Sequence, residues 1–310
     1  MKEIPFAPAI YEHKAALLLL PPYPVSRHPV LLRQVLETEN EIYRPDYLTV
    51  GLDIYNLELE AMGGTVEDCG NLCPEISRMP TAIPLIEQIF GAGRFKMMLD
   101  VASQIKSCGP QIRIAATGPV TLAAKFLGSE QLLMDLILDE GLGGTVLTQM
   151  ARITGHWCEI INRHGFDAIV FDSMAAPPLC SPDLYRDKIL PLHRDLMQGL
   201  ASRGQTEREL VIGGDTTAIA PLLKETGANI LLCDFAADPA AWKKQLGDDT
   251  NFQVRRNLNP AAIDQLDPAA FRAELELFNR PIFGTGILPY EFDPAKLLSF
   301  RERFEKTGAN

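Results

Sequence analysis

The stretch Leu210-Val-Ile-Gly-Gly-Asp-Thr-Thr217, followed by Ala218-Ile-Ala-Pro-Leu-Leu-Lys-Glu-Thr-Gly-Ala-Asn229 and the apolar run Ile230 to Phe235, decides the fold. An apolar strand ends in a polar turn with an acid, Asp215, at its tip. A short amphipathic helix follows, and a second strand again ends in an acid, Asp234. This is a β/α/β unit with carboxylates at strand C-termini, where parallel α/β folds place their chemistry. Apolar runs of the same kind lie at Tyr47–Ile54, Arg113–Thr117, Ala168–Asp172, Leu210–Gly214, Ile230–Asp234, Asn251–Arg255 and Pro281–Gly284. Helical patterns alternate with them at Pro84–Gln104, Ser129–Arg163, Pro182–Ser202, Ile219–Thr226 and Pro268–Phe278.

Strands alternating with helices in this number predict a (β/α)8 TIM barrel with one strand still to be found. An open doubly wound sheet is the other architecture with this grammar. It calls for a phosphate-binding signature at its switch point, and no G-x-G-x-x-G or P-loop follows any strand here. Residues 1–46, with His13, Lys14, Pro21-Pro22 and a helix from about His28 to Ile42, read as an N-terminal extension covering part of the barrel mouth. The whole chain, 1–310, reads as one domain.

Composition narrows the partners. With a net charge of -11 and 29 Lys+Arg, the chain lacks the clustered cations that nucleic acid or an anionic membrane requires, so small molecules or proteins are expected. No run approaches the roughly 18 apolar residues of a membrane span, and Leu17 to Leu20 are closed off by Pro21-Pro22. Met1-Lys-Glu-Ile-Pro does not open a secretion signal. Six cysteines (69, 73, 108, 158, 180, 233), thinly spread through 310 residues, fit reduced thiols and a cytoplasmic protein.

In a barrel, the strand ends share one mouth: Asp53, Thr117-Gly118, Asp172, Asp215, Asp234, Asn257 and Thr285. Four of these are aspartates, which at close range cannot all stay ionised without counter-charges. Such a ring is a functional-site candidate. The alternative for each is a helix cap, as for Asp215 before Thr216-Thr217.

The ordered motifs resemble a known family. They are Asp46-Tyr-Leu-Thr-Val-Gly-Leu-Asp-Ile-Tyr-Asn-Leu-Glu-Leu-Glu-Ala-Met-Gly63, Thr117-Gly-Pro-Val-Thr-Leu-Ala-Ala124, Phe171-Asp-Ser-Met-Ala-Ala-Pro-Pro-Leu-Cys-Ser-Pro182, Gly214-Asp-Thr-Thr217, Thr226-Gly-Ala228 and Gly284-Thr-Gly-Ile-Leu-Pro289. Together, from about residue 10 to residue 300, they resemble the uroporphyrinogen decarboxylase superfamily, which also holds the corrinoid-linked methyltransferases. The resemblance implies a (β/α)8 barrel with its active site at the strand C-termini, and a homodimer.

Departures from the family pattern separate its activities, because one barrel hosts many chemistries. Where decarboxylases carry Met-Arg-Gln-Ala-Gly-Arg for their polycarboxylate substrate, this chain reads Ile10-Tyr-Glu-His-Lys-Ala-Ala16. The family's catalytic acid is retained as Asp53. Its tyrosine falls near Lys125, and its late histidine is Thr285. The zinc methyltransferases' His-x-Cys falls at Val211-Ile-Gly213, and their third ligand also falls at Thr285, so that zinc site is missing. A different site drawing on Asp172, Asp215, Asp234, Cys233 or His13 stays open for zinc. Cys233 and Asp234 are adjacent on one strand, however, and cannot both face the lumen. Cys69-Gly-Asn-Leu-Cys73 lacks a second ligand pair and reads as an incidental loop pair.

The resulting site assigns catalysis to Asp53, His13 and Asp215, with His13 between Glu12 and Lys14 as a proton shuttle. Substrate contacts fall to Glu12, Lys14, Tyr55, Asn56, Asp172, Asp234, Arg256, Asn257 and Thr285, with Glu60 either on the same side or on a helix face. The pair Arg255-Arg256 also falls at the mouth, where Arg256 either forks onto a substrate carboxylate or one of the aspartates, or is a surface arginine at a strand end. His28, His156, His164 and His193 read as core or surface residues. The resemblance implies a methyltransferase that exchanges a methyl group between a small molecule and a corrinoid carried by a partner protein. No cofactor is expected to be held tightly by the chain itself. The alternatives are decarboxylation of uroporphyrinogen or a related acid through Asp53, and a non-catalytic ligand-binding barrel.

Overall fold

The computed structural model describes residues 4–91, 93–107, 109–247 and 252–308, so Cys108 and Asn251 lie outside the described residues. Its strands are β1 (Phe6–Ile10), β2 (Tyr47–Val50), β3 (Thr65–Glu67), β4 (Glu75–Arg78), β5 (Gln111–Thr117), β6 (Asp167–Phe171), β7 (Glu209–Val211), β8 (Ile230–Cys233), β9 (Gln253–Leu258) and β10 (Pro281–Leu288). Eight of them form one sheet in the order β1-β10-β9-β8-β7-β6-β5-β2, with every pair parallel. β3 and β4 make a separate antiparallel ribbon beyond β2. The sheet curls into a barrel whose ends meet at Asp46. Its N–H donates to the Phe6 carbonyl at 2.9 Å, and its Oδ2 accepts from the Phe6 N–H at 2.7 Å.

The strand the sequence pattern leaves unfound is β1, inside the segment read as an extension. Residues 6–43 are therefore the first β/α unit of the barrel: β1, a connection holding the short helices His13–Ala16 and Pro22–Val25, and the helix Pro29–Tyr43. β1 escapes the pattern because Phe6-Ala-Pro-Ala-Ile10 carries a proline and two alanines, residues of low strand preference. The ladder absorbs Pro8 through a register shift between Ala7 and Ala9. At that shift the Thr285 hydroxyl accepts the Ala9 N–H at 2.9 Å.

Two helices expected to be continuous are broken. Ser129–Leu138 and Gly143–Arg163 are separated where Asp139 and Gly141 take positive φ. The Asp135 carboxylate accepts the Leu142 and Gly143 N–H groups at 3.0 and 2.9 Å. Likewise Ile86–Phe90 and Phe95–Ile105 flank a break that holds Arg94. No helix among the described residues is long and apolar enough to cross a membrane.

The apolar core fills the space between barrel and helices, and the lumen is packed in layers. Ala7, Tyr47, Ile230 and Ile282 close the N-terminal end, while Ala9, Ala115, Ile169, Phe171, Val211 and Leu232 lie toward the mouth. Three buried charges share the lumen with them: Glu209 pairs with Arg113 and, at 2.8 Å, with Arg255. Arg113 also reaches Glu207 at 3.0 Å and lies 3.6 Å over the Tyr47 ring.

Candidate active site

A cavity of about 840 Å³ opens at the C-terminal ends of the strands. Its apolar wall is built from Phe171, Val211, Leu232, Phe235, Ile287 and Phe292, and its polar groups come from Tyr11, Tyr55, Ser173, Asp234, Arg255 and Asn257. Asn259, Glu291, Asp293 and Lys296 line it nearer the β10 end. The volume and the mix of apolar wall with few polar groups suit a small-molecule site.

Strand alternation decides which of the β9 residues belong here. Arg255 and Asn257 face the lumen. Arg256 faces the helical layer, where its Nε donates to Glu274 at 2.9 Å and its Nη1 donates to the Ala237 carbonyl at 3.1 Å. The arginine expected in the mouth is therefore a barrel-to-helix tie, and its neighbour Arg255 takes the lumen position. Arg255 is 6% exposed; its charge partner is Glu209, shared with Arg113, and its Nε has no hydrogen-bond partner.

Asp234 and Asn257 are coupled across adjacent strands. The Asn257 Nδ2 donates to Asp234 Oδ1 at 3.0 Å, and that carboxylate also accepts the Phe235 N–H at 2.9 Å and the Gly214 N–H at 2.8 Å. Asn257 Oδ1 is buried without a partner. On the β1 and β2 side, Tyr55 and Ser173 share a hydrogen bond of 3.2 Å, and Tyr11 packs edge-on against Phe171 at 6.0 Å. Burial raises the pKa of both tyrosines, so they stand in the cavity as neutral hydroxyls.

The other sequence-derived site residues are not among those lining the cavity. Asp53 lies beyond the end of β2, because the chain turns at Gly51 with φ +114. Its Oδ2 accepts from Arg94 at 2.9 Å and lies 3.6 Å from Arg27, and its Oδ1 accepts from Asn56 at 2.5 Å. Burial raises its pKa against the lowering effect of the two guanidiniums. Glu60 completes this cluster, paired with Arg27 and Arg94. Asn56 is buried there as well, donating to the Pro74 carbonyl and accepting from Lys125 at 3.4 Å.

His13 is buried: its Nδ1 faces the Tyr290 carbonyl at 3.0 Å and its Nε2 faces the Tyr43 hydroxyl at 2.7 Å. The carbonyl requires Nδ1 to donate; burial lowers the ring's pKa, which favours the neutral form with Nε2 accepting from the Tyr43 hydroxyl. Lys14 is equally buried, donating to the Thr49 carbonyl at 2.8 Å and pairing with Glu39 at 3.1 Å. Both tie the first β/α unit to its neighbours. Glu12 accepts from the Cys73 thiol at 3.2 Å.

Asp172 is fully buried, with Oδ1 on the Thr121 N–H at 2.6 Å and Oδ2 on His193 Nε2 at 2.8 Å. It caps the helix Pro119–Leu127 from outside, and His193, read from the sequence as core or surface, is buried in the core. Asp215 is exposed and accepts from Thr217 N–H at 2.9 Å and Thr217 Oγ1 at 2.5 Å, a local turn cap. Thr285 is taken up by the β1 ladder.

Of the four aspartates read as a ring, Asp234 alone lines the cavity. The groups considered as alternative zinc ligands are dispersed accordingly. Among the described residues no cluster of three or more His, Cys, Asp or Glu side chains is arranged to hold a metal. The five cysteines among the described residues are free.

A family model described as uroporphyrinogen decarboxylase (URO-D) matches residues 26–283. The chain belongs to the uroporphyrinogen decarboxylase family. The URO-D match begins before the helix Pro29–Tyr43 and ends within β10, so it spans most of the barrel but not β1. No curated protein matches the sequence. Among solved structures, a methyltransferase from Methanosarcina mazei superposes with a TM-score of 0.83 at 17% identity, covering 99% of this chain and 95% of that one. At that identity the likeness establishes the fold. The carboxyl transferase domain of Rhizobium etli pyruvate carboxylase, solved with 3-bromopyruvate, matches at a TM-score of 0.41 and 13% identity, over 98% of this chain and 48% of that one. The URO-D barrel thus presents here a cavity whose Tyr11 and Ser173 were not among the residues singled out from the sequence, and in which Arg255, not the Arg256 favoured from the pair, takes part. For Arg255 the signal was present, since the alternation that separates Cys233 from Asp234 also separates Arg256 from Asn257.

Proposed function

We propose that this protein is a methyltransferase that binds one small methylated substrate, or its demethylated acceptor, in the mouth cavity and exchanges the methyl group with a corrinoid carried by a partner protein. The observation that carries this reading is the charge of the cavity. One lumenal guanidinium, Arg255, stands among the acids Asp234, Glu291 and Asp293, with Lys296 at the outer side already paired to Asp264. A porphyrinogen bearing carboxylates around its ring needs several fixed cations, and this wall suits a smaller molecule with at most one anionic group. Asp53, the acid on which the decarboxylase reading depends, is committed to Arg94 and Arg27.

In this reading the corrinoid supplies the second methyl-exchanging centre, approaching an open mouth whose edge includes Phe235 and Ile287, 40% and 51% exposed. The chain's own residues orient the substrate. As the methyl group leaves, the heteroatom keeps the bonding electron pair, and a hydrogen-bond donor facing it lowers the barrier. Tyr11, Tyr55 and Ser173 supply hydroxyl donors in the cavity, the two tyrosines kept neutral by burial. The zinc-thiolate chemistry of other methyltransferases finds no ligand set among the described residues, and no step is assigned to a metal.

The test is turnover of free methylcobalamin with a panel of thiols, phenols and amines as acceptors, followed by the loss of its visible spectrum, beside a parallel assay for uroporphyrinogen decarboxylation. Acceptor-dependent cobalt-carbon cleavage without decarboxylation is expected. Decarboxylation, or no cleavage with any acceptor, counts against the proposal.

A further inference from the structure

The hydrogen bonding left incomplete in the cavity wall describes the ligand that completes it. We infer that the substrate is a small carboxylate with a hydrogen-bond donor beside the carboxylate and an apolar body, its carboxylate read by Arg255 and its donor by Asn257. This rests on the cavity being the substrate site, as proposed above.

Arg255 and Arg113 share the Glu209 carboxylate, and the other acid on Arg113, Glu207, makes no ion pair with Arg255. Arg255 therefore faces the cavity with half a counter-ion and with its Nε unpaired. A buried guanidinium in that condition is stabilised by a second anion, and carboxylate is the planar anion its fork matches.

The orientation of Asn257 follows from Asp234. An ionised carboxylate accepts and does not donate, so the amide nitrogen must face it and the amide oxygen must face away. That oxygen is buried without a partner, and an empty buried acceptor is unfavourable, so a ligand donor that reaches it is favoured. The two requirements fall side by side. The point where a Cβ on Gly284 would sit lies 2.2 Å from Asn257 Oδ1 and 2.7 Å from Arg255 Cγ, so both side chains pack over the same glycine. Asp234 acts through Asn257. Its two oxygens already hold three N–H groups, which makes it a positioning residue rather than a receptor for the ligand. The same cavity is also lined by Phe171, Leu232, Phe235 and Phe292, apolar surface for the body of the ligand, with Leu232 directly beside Arg255 across the β8–β9 ladder.

Three probes separate the terms: mandelate has the carboxylate, the adjacent hydroxyl and an aromatic body; mandelamide loses the charge; phenylacetate loses the hydroxyl. Binding of each to the wild-type protein is measured calorimetrically with no corrinoid present. Mandelate is expected to bind at least about ten-fold more tightly than mandelamide, as a charge-assisted pair requires, and more tightly than phenylacetate. Against a chain of net charge -11, a preference for the anion cannot come from bulk attraction. Arg255→Gln should abolish the mandelate preference over mandelamide, and Asn257→Leu should abolish the preference over phenylacetate. Because Arg255 also balances Glu209, a poorly folded Arg255→Gln leaves the decision to the wild-type ratios. Equal binding of mandelate and mandelamide, or of neither, overturns the inference. Carboxylate preference without methyl transfer removes the methyltransferase reading alone, whereas transfer to uncharged acceptors with no carboxylate preference removes the present inference alone.

Discussion

Arg94 sits in the break between two helices and closes a buried cluster by holding Asp53 at 2.9 Å, Glu60 at 2.6 Å and the Ser26 carbonyl at 3.0 Å. Removing the Asp53 charge leaves Arg94 and Arg27 short of a counter-ion in a site where the Asp53 side chain is 1% exposed. Asp53→Asn is therefore expected to lower unfolding free energy by about 3 kcal/mol, the cost of breaking a buried pair, as read by urea denaturation. Ligand binding by the folded fraction should be retained. Unchanged stability with abolished turnover would instead return Asp53 to the chemistry. An acid after an apolar run is visible in sequence, but the two arginines that claim it come from positions 27 and 94, and nothing in a linear pattern brings them together.

Glycines mark where elements approach one another. A Cβ at Gly118, at the start of the helix Pro119–Leu127, would lie 2.2 Å from the Asp172 Cβ, far inside contact distance. A Cβ at Gly284 in β10 would lie 2.2 Å from Asn257 Oδ1. The two substitutions should differ in outcome. Gly118→Ala is expected to destabilise by about 3 kcal/mol or more in thermal or urea unfolding, because Asp172 is locked by Thr121 and His193 and cannot yield. Gly284→Ala displaces side chains that border open space, so it should keep most of the stability while weakening mandelate binding by about ten-fold or more, the loss of the charge-assisted contact. Equal stability loss in both would show that the β10 face is as rigid as the β5–β6 face. At this scale the sequence was legible for seven of the eight barrel strands, where β-rich runs alternate with helices. β1 was hidden by Pro8 and its alanines, whose strand conformation is imposed by pairing with β10.

Across the whole molecule, two buried carboxyls give stability a pH dependence. Burial pushes Glu39 up to about 7 despite Lys14. Burial also pushes Glu58 up to about 7, against the hydrogen bonds from Thr117. Geometry agrees for Glu58. The Thr117 hydroxyl hydrogen cannot serve both the Ile54 carbonyl at 2.9 Å and Glu58 Oε2 at 2.8 Å, and a protonated Glu58 resolves this by donating to that hydroxyl. The folded chain then binds protons, between the ordinary value of 4.5 and about 7, that the unfolded chain has released. By linkage this contribution is fully present below 4.5 and is lost as pH rises through about 7. Urea midpoints should accordingly fall between about pH 5 and pH 8, and Glu58→Gln should flatten that slope. A midpoint rising across the same window in the wild type would contradict both assignments.

The sequence by itself determined the layered β/α repeat, the family and the place of the mouth, because strand and helix periodicity and short ordered motifs are local properties of the chain. It also put Asp234 and Asn257 in that mouth. Only the tertiary structure decided that Arg255 rather than Arg256 shares the lumen with them, and that Asp53, Asp172, Lys14 and His13 are spent on packing contacts. The physical reason is burial: a charged or polar side chain taken out of water must find partners, and those partners lie as far as 277 residues away along the chain, where no local pattern can announce them.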